Sequence, residues 1–241
     1  MKLYVVKDYD EASRGATEII ADQIKEKKNS VLGLATGSSP LGIYKILVEK
    51  YNKGEISFKD ISTVNLDEYK GLNALDKNSY HYYMNENLFS KVDINPKNVN
   101  IPDGMALDAE EYCKKYEAII ESLGGIDLQL LGLGENGHIG FNEPGTPFTE
   151  RTHLVDLTES TIQANSRLFA KIEDVPRQAF SMGIATIMSA KKILLIATGA
   201  QKSDALAKVV NGEVTTEVPG SVLQNHMDVI IICDEAAASK L

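Results

Sequence analysis

Along this chain, short continuous apolar runs alternate with stretches whose apolar residues recur every three or four positions. The runs cover residues 3–6, 31–35, 61–66, 126–131, 191–198 and 229–233, and each predicts a strand. Between them, residues 10–28, 41–51, 80–89, 107–123, 160–171 and the segment from Lys202 to Asn211 carry helical signals. Strands that are apolar throughout, rather than at alternate positions, are buried on both faces. The order of elements therefore predicts an α/β fold: one doubly wound domain, a mainly parallel sheet with helices on both faces, a Rossmann-like three-layer sandwich. Ser39 is placed to cap the second helix, with Pro40 at its first position. Ser160 with Gln163 makes a capping box for the helix over 160–171.

Composition narrows the class. The 241 residues suffice for one large domain with a full core, and no Pro-, Gly- or Ser-rich linker divides them. With 43% hydrophobic and 24% charged residues, the chain is neither disordered nor a coiled coil. No apolar run approaches the ~18 residues of a membrane span. Met1–Val6 reads as a first strand and lacks the long apolar stretch of a signal peptide. Acidic residues outnumber basic ones 34 to 25, the wrong balance for a nucleic-acid surface. Cys113 and Cys233 read as reduced structural thiols of a cytoplasmic protein. Neither they nor His81, His138, His153 and His226 show zinc-site spacing, so no metal is expected.

Ligands of open α/β sheets bind outside the carboxyl ends of the strands, and four places there carry chemistry. Thr36-Gly37-Ser38-Ser39-Pro40 joins a strand to a helix N-terminus. Gly37 admits close approach, and free N–H groups with the helix dipole suit a phosphate. An ordinary capped turn is the competing reading. Asp67-Glu68-Tyr69 puts carboxylates at a second strand end, as a general base or as a solvated turn. Gly132-x-Gly134-x-x-Gly137 has the dinucleotide spacing, but Gly140, Pro144, Gly145 and Pro147 stand where that fingerprint needs a helix. The loop instead groups Asn136, His138 and Glu143: an imidazole that carries protons near neutral pH, and a carboxylate to orient it. Lys202 at a helix N-terminus and Arg167 on the helix after Ser160 are cations suited to a phosphate. A lysine is unfavourable at that end of a helix unless it serves an anion there. Together these features describe acid–base chemistry on a small anionic substrate, without metal or redox cofactor.

Residues 33–40 (Gly-Leu-Ala-Thr-Gly-Ser-Ser-Pro), 65–69 (Asn-Leu-Asp-Glu-Tyr) and 132–144 (Gly-Leu-Gly-Glu-Asn-Gly-His-Ile-Gly-Phe-Asn-Glu-Pro) look like the glucosamine-6-phosphate deaminase family. So do Ala164-Asn165-Ser166-Arg167 and Gly199-Ala200-Gln201-Lys202, and the resemblance covers nearly the whole chain in order. It implies conversion of glucosamine 6-phosphate and water to fructose 6-phosphate and ammonia, in amino-sugar catabolism. By resemblance, Asp67 moves a proton between C2 and C1 through an enolamine. His138 assists opening of the pyranose ring, and Glu143 and Asn136 orient and tune that histidine. The phosphate lies against Gly37, Ser38 and Ser39 with Arg167 and Lys202, under a lid around residues 156–180. No cofactor, metal, nucleic acid or membrane is implied.

Two departures from the family pattern change the expectation. Asn136 stands where many members carry Asp, and an uncharged side chain stabilises an imidazolium less. Allosterically activated hexameric members carry two basic residues just after an Arg-Thr pair. Here Arg151-Thr152 is followed by His153-Leu154-Val155, and the chain stops soon after Asp234-Glu235. A monomer without an allosteric activator site, unresponsive to N-acetylglucosamine 6-phosphate, is expected. A 6-phosphogluconolactonase-like hydrolase on the same fold should lack the Phe141-Asn142-Glu143-Pro144 run and the Asp67 carboxylate. A non-catalytic sugar-phosphate sensor would dispense with the base and carry a DNA-reading helix-turn-helix, for which the N-terminal segment leaves no room.

Overall fold

The structure is a computed structural model and describes residues 1–166, 169 and 171–241. In chain order its elements are β1 (Lys2–Val6), α1 (Tyr9–Glu26), β2 (Val31–Leu34), α2 (Leu41–Asn52), β3 (Ser62–Asn65), β4 (Asp67–Tyr69), α3 (Tyr80–Asn87) and β5 (Val99–Asn100). There follow α4 (Ala109–Ser122), β6 (Leu128–Gly132), β7 (His153–Asp156), α5 (Glu159–Asn165), β8 (Gln178–Ser181), α6 (Ile184–Met188), β9 (Lys192–Ala197), α7 (Ser203–Asn211) and β10 (Val229–Asp234). Among the described residues, no helix is long and apolar enough to cross a membrane.

The six apolar runs and a two-residue strand that the sequence did not predict, β5, form one sheet in the order β1-β10-β9-β6-β2-β3-β5, every neighbouring pair parallel. The edge strand β1 is apolar but mostly exposed, against the expectation of burial on both faces. All residues of β2 and of β10 are buried, as strands covered on both faces must be. Helix α1 shows the complementary pattern, with Ala12, Ala16, Ile20 and Ile24 buried along one stripe. From β2 the chain works outward through β3 to β5, and from β6 it works outward the other way through β9 to β10. The switch point thus lies between β2 and β6. Their carboxyl-end loops diverge there and leave a crevice.

A second sheet was not expected from the sequence. Strands β4, β8 and β7 pair antiparallel, with Asp67 opposite Ser181 and His153 also opposite Ser181 on the far side. The predicted strand over 61–66 therefore does not end in a simple Asp67-Glu68-Tyr69 turn. Leu66 donates its N–H to Leu34 O of the large sheet (3.0 Å), and its carbonyl accepts from Met182 N (2.7 Å). One residue later the chain belongs to the small sheet. That sheet has a core of its own, built from Tyr69, Phe141, Leu157, Ile162, Val175 and Ala179.

Two predicted caps fall elsewhere. Pro40, not Ser39, precedes α2, and it already has helical dihedrals (φ −83°, ψ −5°), so no side chain caps that end. Helix α5 is capped by Thr158, whose hydroxyl accepts from Thr161 N, and Ser160 falls inside its first turn. The helix closes at Asn165 rather than 171, and Arg167 lies outside the described residues. Lys202 ends a short 3-10 turn, Ala200–Lys202, immediately before α7.

Candidate active site

At the switch point, the loops after β2, β6 and β9 and the start of β4 face one cavity of about 1160 Å³. Gly37, Ser38 and Ser39 line it on one side, Asn136 and His138 on another, with Asp67 and Lys202 on its remaining walls. Glu143 lies just behind His138, only 7% exposed. Every predicted site residue that is described is therefore at this one place; Arg167 is not among the described residues.

Asp67 owes its position to its neighbour. Glu68 is wholly buried and accepts three backbone N–H bonds, from Tyr69, Tyr80 and His81, each at 2.9 Å. It also meets His81 Nδ1 at 2.9 Å. These bonds fasten the first turn of α3 to β4 and fix the strand that carries Asp67. The Asp67 carboxylate makes no hydrogen bond or ion pair among the described residues, although the residue is only 7% exposed. Burial, with the Glu68 charge adding to it, pushes its carboxyl up to about 8. A carboxyl that ionises near neutral pH is matched to abstracting and returning a proton.

The glycines after β6 serve a tight turn rather than a dinucleotide. Gly137 N bonds to Gly134 O at 3.0 Å and Gly134 N to His138 O at 2.9 Å, with Gly137 at φ +88°. A Cβ on Gly134 would lie 2.4 Å from the His138 ring, so the imidazole packs where a side chain would be. Asn142 secures the loop from below, its amide donating to Ile139 O and Met182 O at 2.8 Å each.

Glu143 joins this loop to α5. Its Oε2 lies 3.4 Å from His138 Nδ1, an ion-pair separation longer than a normal hydrogen bond, and accepts from Asn136 Nδ2 at 2.6 Å. Its Oε1 accepts from the hydroxyls of Thr161 and Thr158. Burial alone would raise this carboxyl, but His138, Thr161 and Asn136 outweigh it and bring it down to about 2. Glu143 is thus a fixed anion beside the histidine. Asn136 reaches the imidazole indirectly, through Glu143 and through its Oδ1, which accepts from His138 N at 3.2 Å.

On the opposite wall, the N–H groups of Gly37, Ser38 and Ser39 have no acceptor among the described residues, and Gly37 sits at φ +96°. This is a nest for an anion. Lys202 projects from the loop after β9, whose Gly199 N donates to both carboxylate oxygens of Asp234 at 3.0 and 2.9 Å.

Sequence reasoning missed Thr158, Thr161, Tyr80 and Asp234. The Thr-x-x-Thr spacing at a helix start was a readable capping signal for the first two. Tyr80 stacks against Phe141 (ring centroids 6.3 Å apart), meets Tyr69 at a tilt (4.8 Å), and forms an aromatic wall beside Asp67. Nothing in the sequence alone marks it out.

Known proteins resemble this chain as a whole. Residues 9–231 match the family described as glucosamine-6-phosphate isomerases/6-phosphogluconolactonase. The chain is 56% identical over its full length to a glucosamine-6-phosphate deaminase of Clostridioides difficile, covering 97% of that protein. It is 55% identical, end to end in both, to the glucosamine-6-phosphate deaminase of Clostridium acetobutylicum. A solved structure of a monomeric glucosamine-6-phosphate deaminase superposes with TM-score 0.98 at 49% identity, all of both chains covered. The 6-phosphogluconolactonase of Trypanosoma brucei shares the fold (TM-score 0.82, all of this chain and 98% of that one) at only 20% identity. With the family model matched over residues 9–231 and relatives 55–56% identical along the entire length, this chain belongs to the glucosamine-6-phosphate isomerase/6-phosphogluconolactonase family.

Proposed function

We propose that this protein converts glucosamine 6-phosphate and water to fructose 6-phosphate and ammonia. Asp67 carries the reading: a buried, unpartnered carboxyl that ionises near pH 8, in one cavity with an imidazole–carboxylate pair and an anion nest. The phosphate sits on the N–H groups of the Gly37–Ser39 loop with Lys202 and Arg167, and so places C1 and C2 of the sugar beside Asp67. Binding far from the reacting atoms supplies that positioning. His138, held by Glu143 and tuned by Asn136, shuttles the proton that opens the pyranose ring. Asp67 then takes the proton from C2 and returns it to C1 through an enolamine. Water adds to the resulting C2 imine, the C–N bond breaks and ammonia leaves. One water is consumed and the aldose-to-ketose change is internal, so the enzyme is a deaminase that releases ammonia by net hydrolysis, with an isomerisation inside its cycle. Proton transfers suffice for each step, so no cofactor is called for.

Residues 156–180 act as a lid over the sugar. In support, Leu157, Ile162 and Val175 pack in a small core apart from the main one, and Thr161 faces the cavity. The protein works as a monomer without an activator site: Arg151 is already paired with Glu117 (2.9 Å) and Glu121 (3.2 Å), leaving no free guanidinium beside His153. Buried, unpaired Cys113 and Cys233 are in keeping with a cytoplasmic location.

The test is incubation of the purified protein with glucosamine 6-phosphate, assaying ammonia and fructose 6-phosphate together, beside an Asp67→Asn variant. Equal amounts of both products, lost in the variant, are expected. Binding without products would make the protein a sensor, and lactone hydrolysis instead would make it a lactonase.

A further inference from the structure

The loop between β2 and α2 is held by phenols from three helices. Tyr9, the first residue of α1, places its hydroxyl 3.0 Å from Ser38 O and 3.2 Å from Ser39 O. The same oxygen accepts from Gly42 N at 2.8 Å, which leaves its proton for those carbonyls. Tyr83 of α3 donates to Gly37 O at 2.6 Å, and Tyr44 of α2 donates to Ala35 O at 2.5 Å. The loop's carbonyls are thus engaged by these phenols while the N–H groups of Gly37, Ser38 and Ser39 have no acceptor among the described residues.

Peptide planarity connects these two facts. In a trans peptide the C=O of one residue and the N–H of the next point in opposite directions within one plane. Holding Gly37 O toward Tyr83 therefore aims the Ser38 N–H away from Tyr83. Holding Ser38 O toward Tyr9 does the same for the Ser39 N–H. Gly37, at φ +96° and with nothing within 4 Å of where a Cβ would be, offers no resistance of its own to a flipped peptide.

We propose that Tyr9 and Tyr83 are positioning residues for the phosphate of the substrate: by holding the carbonyls of Gly37 and Ser38, they keep the next two N–H groups aimed into the cavity. The inference rests on the reading that the phosphate binds this loop. Tyr9 lines the cavity and Tyr83 does not, and each is assigned to the backbone carbonyl that its hydroxyl holds. Tyr44 is wholly buried and serves the core as well.

The test uses Tyr9→Phe, Tyr83→Phe and the double variant, with Lys202→Ala as a marker of the phosphate site. Phenylalanine keeps the ring packing and removes the hydroxyl, which at Tyr83 is a donor and at Tyr9 is also the acceptor for Gly42 N. Two quantities are read: the Kd of inorganic phosphate by calorimetry, and KM against kcat for glucosamine 6-phosphate. Each single variant is expected to weaken phosphate about fivefold, the scale of one net hydrogen bond. KM should rise by the same factor while kcat moves less than twofold. If Lys202→Ala weakens phosphate and the tyrosine variants do not, the tyrosine inference is overturned and the phosphate site stands. If phosphate does not bind, or binds equally to all variants, the phosphate reading fails and the inference falls with it. A fall in kcat with phosphate affinity intact would likewise overturn it, because the phenols would then serve the chemistry or the general packing.

Discussion

Replacing Asp67 by asparagine should abolish turnover and, at alkaline pH, make the protein more stable. In the unfolded chain the carboxyl ionises near its ordinary 3.8, but in the folded protein only near 8. Between those values the unfolded state has released a proton that the folded state retains. Stability is therefore lost as pH rises through this window. At ~1.4 kcal/mol per pH unit, a window of about four units sets an upper limit of ~6 kcal/mol. The carboxyl faces an open cavity that water enters, so ~2 kcal/mol is the better expectation at pH 8. For a protein of this size that is a rise in Tm of roughly 4–8 °C. Asparagine has the shape of the neutral acid, and no partner among the described residues is lost. Thermal melts of both proteins at pH 5 and pH 8 supply the assay: the gain should be ~4–8 °C at pH 8 and under ~2 °C at pH 5. Equal gains at both pH values, or a lower Tm for the variant at pH 8, would refute the argument that burial of this charge is tolerated for function.

Other perturbations bear on the histidine. Asn136→Asp puts a second carboxylate where the amide now donates to Glu143 at 2.6 Å, so the added charge favours the imidazolium. The acidic limb of the pH–rate profile should move upward, and an unmoved profile rejects this role for residue 136. Gly134→Ala drives a methyl into the His138 ring; kcat should fall about 100-fold, the scale of an ångström-sized misplacement, and near-normal turnover would show that the ring position is not critical. Thr161→Val deletes one donor to Glu143, and kcat/KM should drop roughly tenfold, whereas an unchanged value would uncouple α5 from the catalytic pair.

Six strands of the large sheet were legible because they are continuous apolar runs, such as Ile126–Leu131 and Val229–Cys233, a pattern that burial on both faces imposes, although the edge strand β1 carries it while mostly exposed. The seventh, β5, is two residues long and gave no run to read. The small sheet was not legible. Asp67-Glu68-Tyr69, His153-Leu154-Val155-Asp156 and Gln178-Ala179-Phe180-Ser181 are short and partly polar, and they pair across gaps of many residues. Neither propensity nor periodicity reports such contacts. The same contrast holds at the site. His138 and Glu143 lie five residues apart on one glycine-rich loop and could be grouped from spacing. Thr161 joins them only because α5 folds back over Glu143. Asp67 was visible as a residue at a strand end, but its burial was not. Tyr44 was legible as a ring at helical spacing with Leu41, Leu47 and Val48. Its hydroxyl contact with Ala35 belongs to tertiary structure.

Leu66 bonds to the large sheet through its N–H and to the small sheet's side through its carbonyl. The Asp67 carboxylate is therefore carried by the first residue beyond a seam between two units of unequal cohesion. The lesser unit, with its few core side chains, is the one expected to open first under heat or denaturant. Such a local opening would carry Asp67 out of register while the seven parallel strands stayed folded. The working lifetime of the enzyme would then be set at this seam, and loss of activity would run ahead of loss of secondary structure.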